Sequence, residues 1–314
     1  MAHDFIAGID IGGTKIAVAV AAASGEIFAR YSVVTDAAIP PETVMGGLLE
    51  KLERMAEANE GRLVAIGIGC PGPLDRERGL VLAPPNMPRS WWQFPLRAYV
   101  EERTGLTVVV ENDANAAALG EHLYGAGRGH KDLVYLTIST GIGGGIIADH
   151  RLVHRVGEAG HVTVRPEGAR CGCGARGCLE AECSGTSIAR RAQEYLLAGG
   201  ASSLHSVHPV TARAVIEAVR EGDELACAVW RETIELLAIG ISSIIAVLAP
   251  ESVILGGGVS AGAGELLFGP LRQELKERVR IVPLNSVEIV PAALGTESGL
   301  YGALALVSQR AGKD

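Results

Sequence analysis

Apolar residues fill positions 5–10, break at Gly12-Gly13 and resume over 15–22, which predicts a β-hairpin closed by a glycine turn. A third strand, 27–34, follows. Val44, Leu48, Leu49 and Leu52 then recur at helical spacing within 41–58, and an apolar run at 63–69 returns to strand. The proline- and glycine-rich stretch 71–95, with Trp91 and Trp92, reads as a long loop. A helix at 96–104, a strand at 108–111 and a helix starting at Asn115 complete the first half.

From Asp132 the pattern restarts with a strand at 133–139, a glycine turn over 140–145 and a return strand at Ile146-Ile147. Two halves that open alike predict a duplicated α/β unit with a cleft between the copies. Helices are expected at 185–197, 211–221, 224–248 and 264–280, with a strand at 252–255 and a third glycine turn at Gly256-Gly257-Gly258. The last helix, 297–309, is apolar on most sides and is expected to pack back across the domain boundary. The organisation predicted is an N-terminal α/β domain over 1–111, completed by the terminal helix within 296–314, and a larger α/β domain over 112–295.

A chain of 314 residues with 48% hydrophobic content has enough material for two cores of ordinary size. Its formal net charge of −8 argues against a nucleic-acid partner, which needs a basic face. The start, Met1-Ala-His-Asp4, carries no basic and apolar leader pattern, and the longest apolar run, 239–250, is interrupted by Gly240, Ser242 and Ser243. A soluble cytoplasmic protein with no membrane partner is therefore expected. Cys70, Cys183 and Cys227 read as small buried hydrophobes in a reducing compartment.

The remaining cysteines stand in one block. His161, Cys171, Cys173 and Cys178 place one imidazole and three thiols within a short glycine-rich loop, 161–178, a complete ligand set for a tetrahedral structural zinc. Four protein ligands leave no open position for a reaction. A disulfide is the poorer reading, because Cys-x-Cys is too close for an easy mutual bridge. Glu158 and Glu180 flank the block, so the ion would hold two carboxylates near each other, suited to the hydroxyls of a polyol. Alone, such a pair is more often two solvated surface glutamates.

Asp10-Ile-Gly12-Gly13-Thr14-Lys15 combines a carboxylate at a strand end with a turn whose N–H groups can face a phosphate. A single such hairpin is more often only a hairpin. The turns at Thr140-Gly141 and at Gly256–Gly258 change that, since three glycine turns after three strands exceed what folding needs. None is a Walker A loop or a dinucleotide fingerprint. In Glu111-Asn112-Asp113-Ala-Asn115, Asn112 and Asn115 are candidate helix caps, and Asp113 is placed to take a proton from an alcohol attacking a γ-phosphoryl group.

Together, Asp10-x-Gly-Gly-Thr-Lys15, Glu111-Asn-Asp-Ala-Asn115, Ser139-Thr-Gly-Ile-Gly-Gly-Gly145, Glu158-x-Gly-His161 and Cys171-x-Cys-Gly-x-x-Gly-Cys-Leu-Glu180 closely resemble the ROK family, and within it the bacterial ATP-dependent glucokinases. The resemblance covers nearly the whole chain. It implies the two-domain ribonuclease H-like fold of actin and hexokinase, as a homodimer or a dimer of dimers. It makes Asp113 the base for the sugar's 6-hydroxyl, with Asn86, Asn112, Glu158, His161 and Glu180 on the other hydroxyls and His161 also on zinc. Asp10 would serve magnesium, Gly12, Gly13, Thr14, Lys15, Thr140 and Gly141 the phosphates of ATP, and Gly256, Gly257 and Gly258 the adenosine end.

The connection between Gly145 and Glu158 is a few residues shorter than the family pattern and lacks its glycines, which predicts a more open side at the sugar's 1- and 2-hydroxyls. Kinases of N-acetylmannosamine, N-acetylglucosamine, mannose or fructose share the motifs. Sugar-responsive repressors of the family carry a helix-turn-helix domain ahead of this fold, and nine residues before Asp10 are too few for one.

Overall fold

The computed structural model describes residues 3–154 and 158–308. The chain divides into two units, one of Met1–Arg128 with Glu297–Asp314 and the other of Gly129–Thr296.

The first unit opens with β1 (His3–Ile11), β2 (Lys15–Ala21) and β3 (Ile27–Val34), then α1 (Pro41–Ala58) and β4 (Gly61–Cys70). Next come a two-stranded hairpin, β5 (Leu74–Asp75) and β6 (Leu80–Val81), then α2 (Leu96–Thr104), β7 (Thr107–Asn112) and α3 (Asp113–Tyr124). The main sheet has the order β3-β2-β1-β4-β7, antiparallel across β3, β2 and β1 and parallel from β1 to β7. Its central strands are buried almost without a break from Phe5 to Ile9 and from Ala65 to Cys70, as expected of strands covered on both faces. α1 starts with Pro41 in its first turn and buries Met45, Leu48, Leu49, Leu52 and Met55 at helical spacing against one face.

The second unit holds β8 (Leu133–Ile138), β9 (Ile142–Ala148), β10 (Arg151–Leu152), α4 (Leu179–Cys183), α5 (Gly185–Leu197), α6 (Ala212–Arg220) and α7 (Glu224–Leu248). It continues with β11 (Ser252–Gly256), α8 (Gly257–Ala263), α9 (Glu265–Arg278) and β12 (Glu288–Pro291). The sheet order β10-β9-β8-β11-β12 repeats that of the first unit, with the same change from antiparallel to parallel pairs. The chain then returns to the first unit as α10 (Ser298–Ser308).

α10 lies on paired glycines. Gly8 and Gly67 face each other across β1 and β4, and a Cβ on Gly67 would overlap the Ala303 carbonyl. On the helix's other side, Gly120 of α3 and Gly302 of α10 leave no room for a side chain between their backbones. The contact between α3 and α10 explains why the first unit runs to Arg128 and not to residue 111. Of the expected terminal helix, residues 309–314 lie outside the described residues, as do Met1, Ala2 and Arg155, Val156 and Gly157 of the short connection.

Two glycine-turn readings change. Gly143, Gly144 and Gly145 are not a turn but the body of β9, paired with Thr137, Leu136 and Tyr135, so the turn is confined to residues 139–141. Gly256 ends β11, and Gly257 begins α8 rather than a turn. The long loop 71–95 contains the β5–β6 hairpin and a single 3-10 turn at Arg89–Trp91. Cys70 and Cys183 are buried as expected, but Cys227 is only half-buried. No helix among the described residues is long and apolar enough to cross a membrane.

Candidate active site

In the first unit the candidate residues meet at the C-terminal ends of the parallel strands. Asp10 and Gly69 each lie one residue before the end of their strands, β1 and β4, and Asn112 ends β7. A Cβ on Gly69 would stand 3.8 Å from both Asp10 Oδ1 and the Asp113 Cα, so glycine there lets the two carboxylate-bearing segments close up. Burial raises the Asp10 pKa to about 6; the charge of Asp113 adds to this and that of Lys15 opposes it. Gly299, in the first turn of α10, leaves the space that the Asp10 carboxylate fills.

Of the two asparagines that could cap α3, Asn112 does so, its Oδ1 accepting from the N–H groups of Ala114 (3.0 Å) and Asn115 (3.2 Å). Its Nδ2 is left with no hydrogen bond among the described residues. Asn115 is buried and donates instead to Glu111 Oε1 at 3.2 Å. Glu111 also accepts the Asn112 N–H at 3.0 Å and pairs with Arg76 at 2.6 Å, fixing the strand end that presents Asp113.

The first glycine turn has the carbonyls of Gly12 and Thr14 engaged and the amides of Gly13 and Thr14 available. Thr35 donates its hydroxyl to the Gly12 carbonyl (2.7 Å) and its N–H to the Thr14 carbonyl (2.9 Å). Among the described residues, the N–H groups of Gly13 and Thr14 have no partner, which is the arrangement an anion needs. Asn86 reaches this turn, since a Cβ on Gly13 would strike its carbonyl. Thr35 has no sequence signature; only the turn geometry reveals it.

The second unit repeats the device. The carbonyls of Ser139, Thr140 and Gly141 accept from Gly185 N–H (2.7 Å), the Thr186 hydroxyl (2.9 Å) and Ser139 N–H (2.9 Å). Glu180 Oε2 accepts the Ile142 N–H at 3.0 Å, and a Cβ on Gly141 would run into that carboxylate. Glu180 thus stands against the turn, with its other oxygen 3.9 Å from Cys171 Sγ.

His161, Cys171, Cys173 and Cys178 place one ligand atom each within 4.8 Å of one another. A tetrahedral zinc with bonds of about 2.3 Å to sulfur and about 2.0–2.1 Å to nitrogen requires S···S near ~3.8 Å and S···N near ~3.6 Å. Cys173 Sγ and Cys178 Sγ are 3.7 Å apart, and Cys171 Sγ is 3.5 Å from His161 Nδ1, so the donor set fits the ion. Burial pushes the Cys171 thiol up and the Cys178 thiol up to about 12, while the Ala175 N–H pulls Cys173 down. A cation would reverse the first two, because it binds thiolates. With Nδ1 turned to the ligand cluster, His161 points Nε2 the other way, 3.7 Å from Glu158 Oε2. Glu158, His161 and Glu180 are therefore all gathered at the cluster's edge.

A cavity of about 890 Å³ opens beside the Ser139–Thr140 turn. α5 lines it with Thr186, Arg190 and Gln193, and α6 with Arg213, Glu217 and Arg220. Of Gly256, Gly257 and Gly258, where β11 passes into α8, only Gly258 lines it. Gly256 is required by the Tyr135 ring and Gly257, at φ 85°, by the Ile138 backbone. The lining side chains of α5 and α6 recur at helical spacing, a signal present in the sequence but not separable there from an ordinary solvated face.

Residues 6–310 match the ROK family. The chain belongs to that family. This ROK protein is 38% identical over 319 residues to a glucokinase of Thermotoga maritima, covering 97% of this chain and 98% of the relative. A ROK hexokinase from Thermus thermophilus superposes with a TM-score of 0.84 at 36% identity, covering 96% of this chain and 97% of that one. A ROK family glucokinase from Streptomyces griseus in complex with glucose and AMPPNP superposes with a TM-score of 0.80 at 36% identity, covering 97% and 99% of the two chains. The fold of this ROK chain is accordingly the actin/hexokinase-like one, each unit carrying one copy of the repeated sheet.

Proposed function

We propose that this ROK protein is a glucokinase that moves the γ-phosphoryl group of ATP to the 6-hydroxyl of glucose, giving glucose 6-phosphate and ADP. The observation that carries the reading is the row Glu158, His161 and Glu180, set at the edge of a four-ligand cluster and against a phosphate-ready turn. Carboxylates accept hydrogen bonds from sugar hydroxyls, and an imidazole whose Nδ1 is held by zinc is fixed as an Nε2–H donor. Asn112, with its amide N–H groups unspent, and Asn86 are further proposed sugar contacts.

In this reading the Asp113 carboxylate takes the proton of the 6-hydroxyl. The oxygen then bonds to the γ-phosphorus as the bond from that phosphorus to the β,γ-bridging oxygen breaks, and ADP leaves with the electron pair. Gly13, Thr14, Thr140 and Gly141 supply N–H groups to phosphate oxygens, with Lys15 adding a charge. Asp10 would hold magnesium through water, and the ion would neutralise phosphate charge. Gly258 and the cavity wall of α5 and α6 take the adenosine. The same reading includes structural zinc, a cytoplasmic homodimer and a place at the entry of hexose breakdown.

ADP release measured across a panel of hexoses tests it. Glucose should be the preferred acceptor, with phosphate on the 6-position. Absence of hexose-dependent ADP release from metal-loaded protein would overturn it.

A further inference from the structure

We infer that Glu182 and Arg165 form a positioning pair that orients the ligand loop and Glu180, and through them sets hexose affinity. The inference rests on the sugar-binding role proposed above for Glu180.

Glu182 lies on α4, two residues beyond Glu180, with its side chain 2% exposed. Its Oε1 accepts the Ala169 N–H of the ligand loop at 2.6 Å, and its Oε2 lies 3.6 Å from Arg165 Nη1. Arg165 Nη2 pairs with Glu232 of α7. Glu232 in turn meets Arg191 Nη1 of α5 at 3.3 Å and the Tyr195 hydroxyl at 3.1 Å. Arg191 Nη2 closes the circuit by donating to the Glu182 carbonyl at 2.7 Å and to Thr233 Oγ1 at 2.9 Å. The ring joins the ligand loop, α4, α5 and α7, with two negative and two positive side chains.

The loop backbone is shaped to admit it. A Cβ on Gly168 would strike the Glu182 carboxylate, and Gly177, at φ 67°, avoids overlap with the Arg165 carbonyl. A metal ion fixes its four ligands relative to one another, whereas the ring ties the block that carries them to the helices beneath. A partly buried ring of this kind adds little stability over an apolar filling of equal volume. The hydrogen bonds that Ala169 N–H and Arg191 Nη2 donate to Glu182, with the Arg165 charge beside its carboxylate, do fix the rotation of α4, a helix of five residues, and any turn of α4 moves Glu180 away from the Ile142 N–H and the ligand cluster.

The test compares Glu182→Gln, Arg165→Gln and the double variant, each zinc-loaded. Glu182→Gln keeps an acceptor for Ala169 and loses the ion pair; Arg165 is 40% exposed, so its replacement leaves folding intact if the buried variant does not fold. Each single variant should raise KM for glucose about tenfold with KM for ATP within about twofold, and the double should add little, as coupled residues do. Zinc release to a chromogenic chelator should be about fivefold faster in each single variant. Glucose KM within about twofold of the parent in Arg165→Gln, or an equal rise in KM for ATP, would overturn the pair's role. If the parent phosphorylates no hexose, the sugar reading has failed, and zinc release decides alone: faster release supports the pair and an unchanged rate overturns it.

Discussion

At the scale of single residues the account turns on Asp113 and Asp10. Asp113→Asn keeps the shape of the α3 start and removes the proton acceptor, so kcat should fall by about a hundredfold or more with KM for glucose little changed. A variant within threefold of the parent in steady-state assays would contradict the assignment. Asp10 carries a stability signature as well. Its pKa is raised from 3.8 to about 6, so the folded chain keeps a proton that the unfolded chain has lost. Stability from this group is fully present below about pH 4 and is lost as pH rises through 6, a penalty on the order of 2–3 kcal/mol at neutral pH. Asp10→Asn should therefore gain on the parent by about 1 kcal/mol between pH 5 and 7.5 in denaturant melts of ligand-free protein, while losing activity. A gap that does not widen with pH would show that Asp10 is ionised as freely in the fold as outside it.

At the scale of elements, two features are open to direct test. Cys173→Ser removes one of four ligands, so the variant should hold no tightly bound zinc by elemental analysis and should lose glucose binding. Full zinc content would contradict the ligand set. Gly302→Val forces a side chain into the α3–α10 contact and should lower stability by about 1–3 kcal/mol or more, read from urea melts. An unchanged midpoint would show that the two helices separate easily.

Much of this level was legible from the chain. The hairpins, α1, the four-ligand block and the strand-end carboxylates follow from alternation, helical spacing and motif. The errors have physical causes. Gly143–Gly145 read as a turn because three glycines carry no side-chain pattern, yet they pair in β9 beneath the tight approach of Gly160 to Ile142. β12 hides because only Ile289 of its four residues is buried. Thr35 and the ring of Glu182, Arg165, Glu232 and Arg191 act through contacts between segments far apart in sequence, which no local pattern records.

At the scale of the whole molecule, one topology used twice divides the work. The first unit carries Asp10, Asp113 and a glycine turn; the second carries the ligand loop, Glu180, a matching turn and the cavity. The short connection before Glu158, three of whose residues lie outside the described ones, predicts modest selectivity at the sugar's 2-position. Mannose or glucosamine should react within about ten- to thirtyfold of glucose in kcat/KM, the value of one lost contact of about 1–2 kcal/mol. Rejection of both by more than about a thousandfold, roughly 4 kcal/mol, would exclude an open 2-side.

The most direct measurement is glucose-dependent ADP release by zinc-loaded protein with magnesium and ATP, run for the parent beside Asp113→Asn. The account predicts one ADP for each glucose 6-phosphate from the parent, and a rate lower by about a hundredfold or more from the variant. Equal rates from the two proteins, or ADP release that does not depend on glucose, would contradict it.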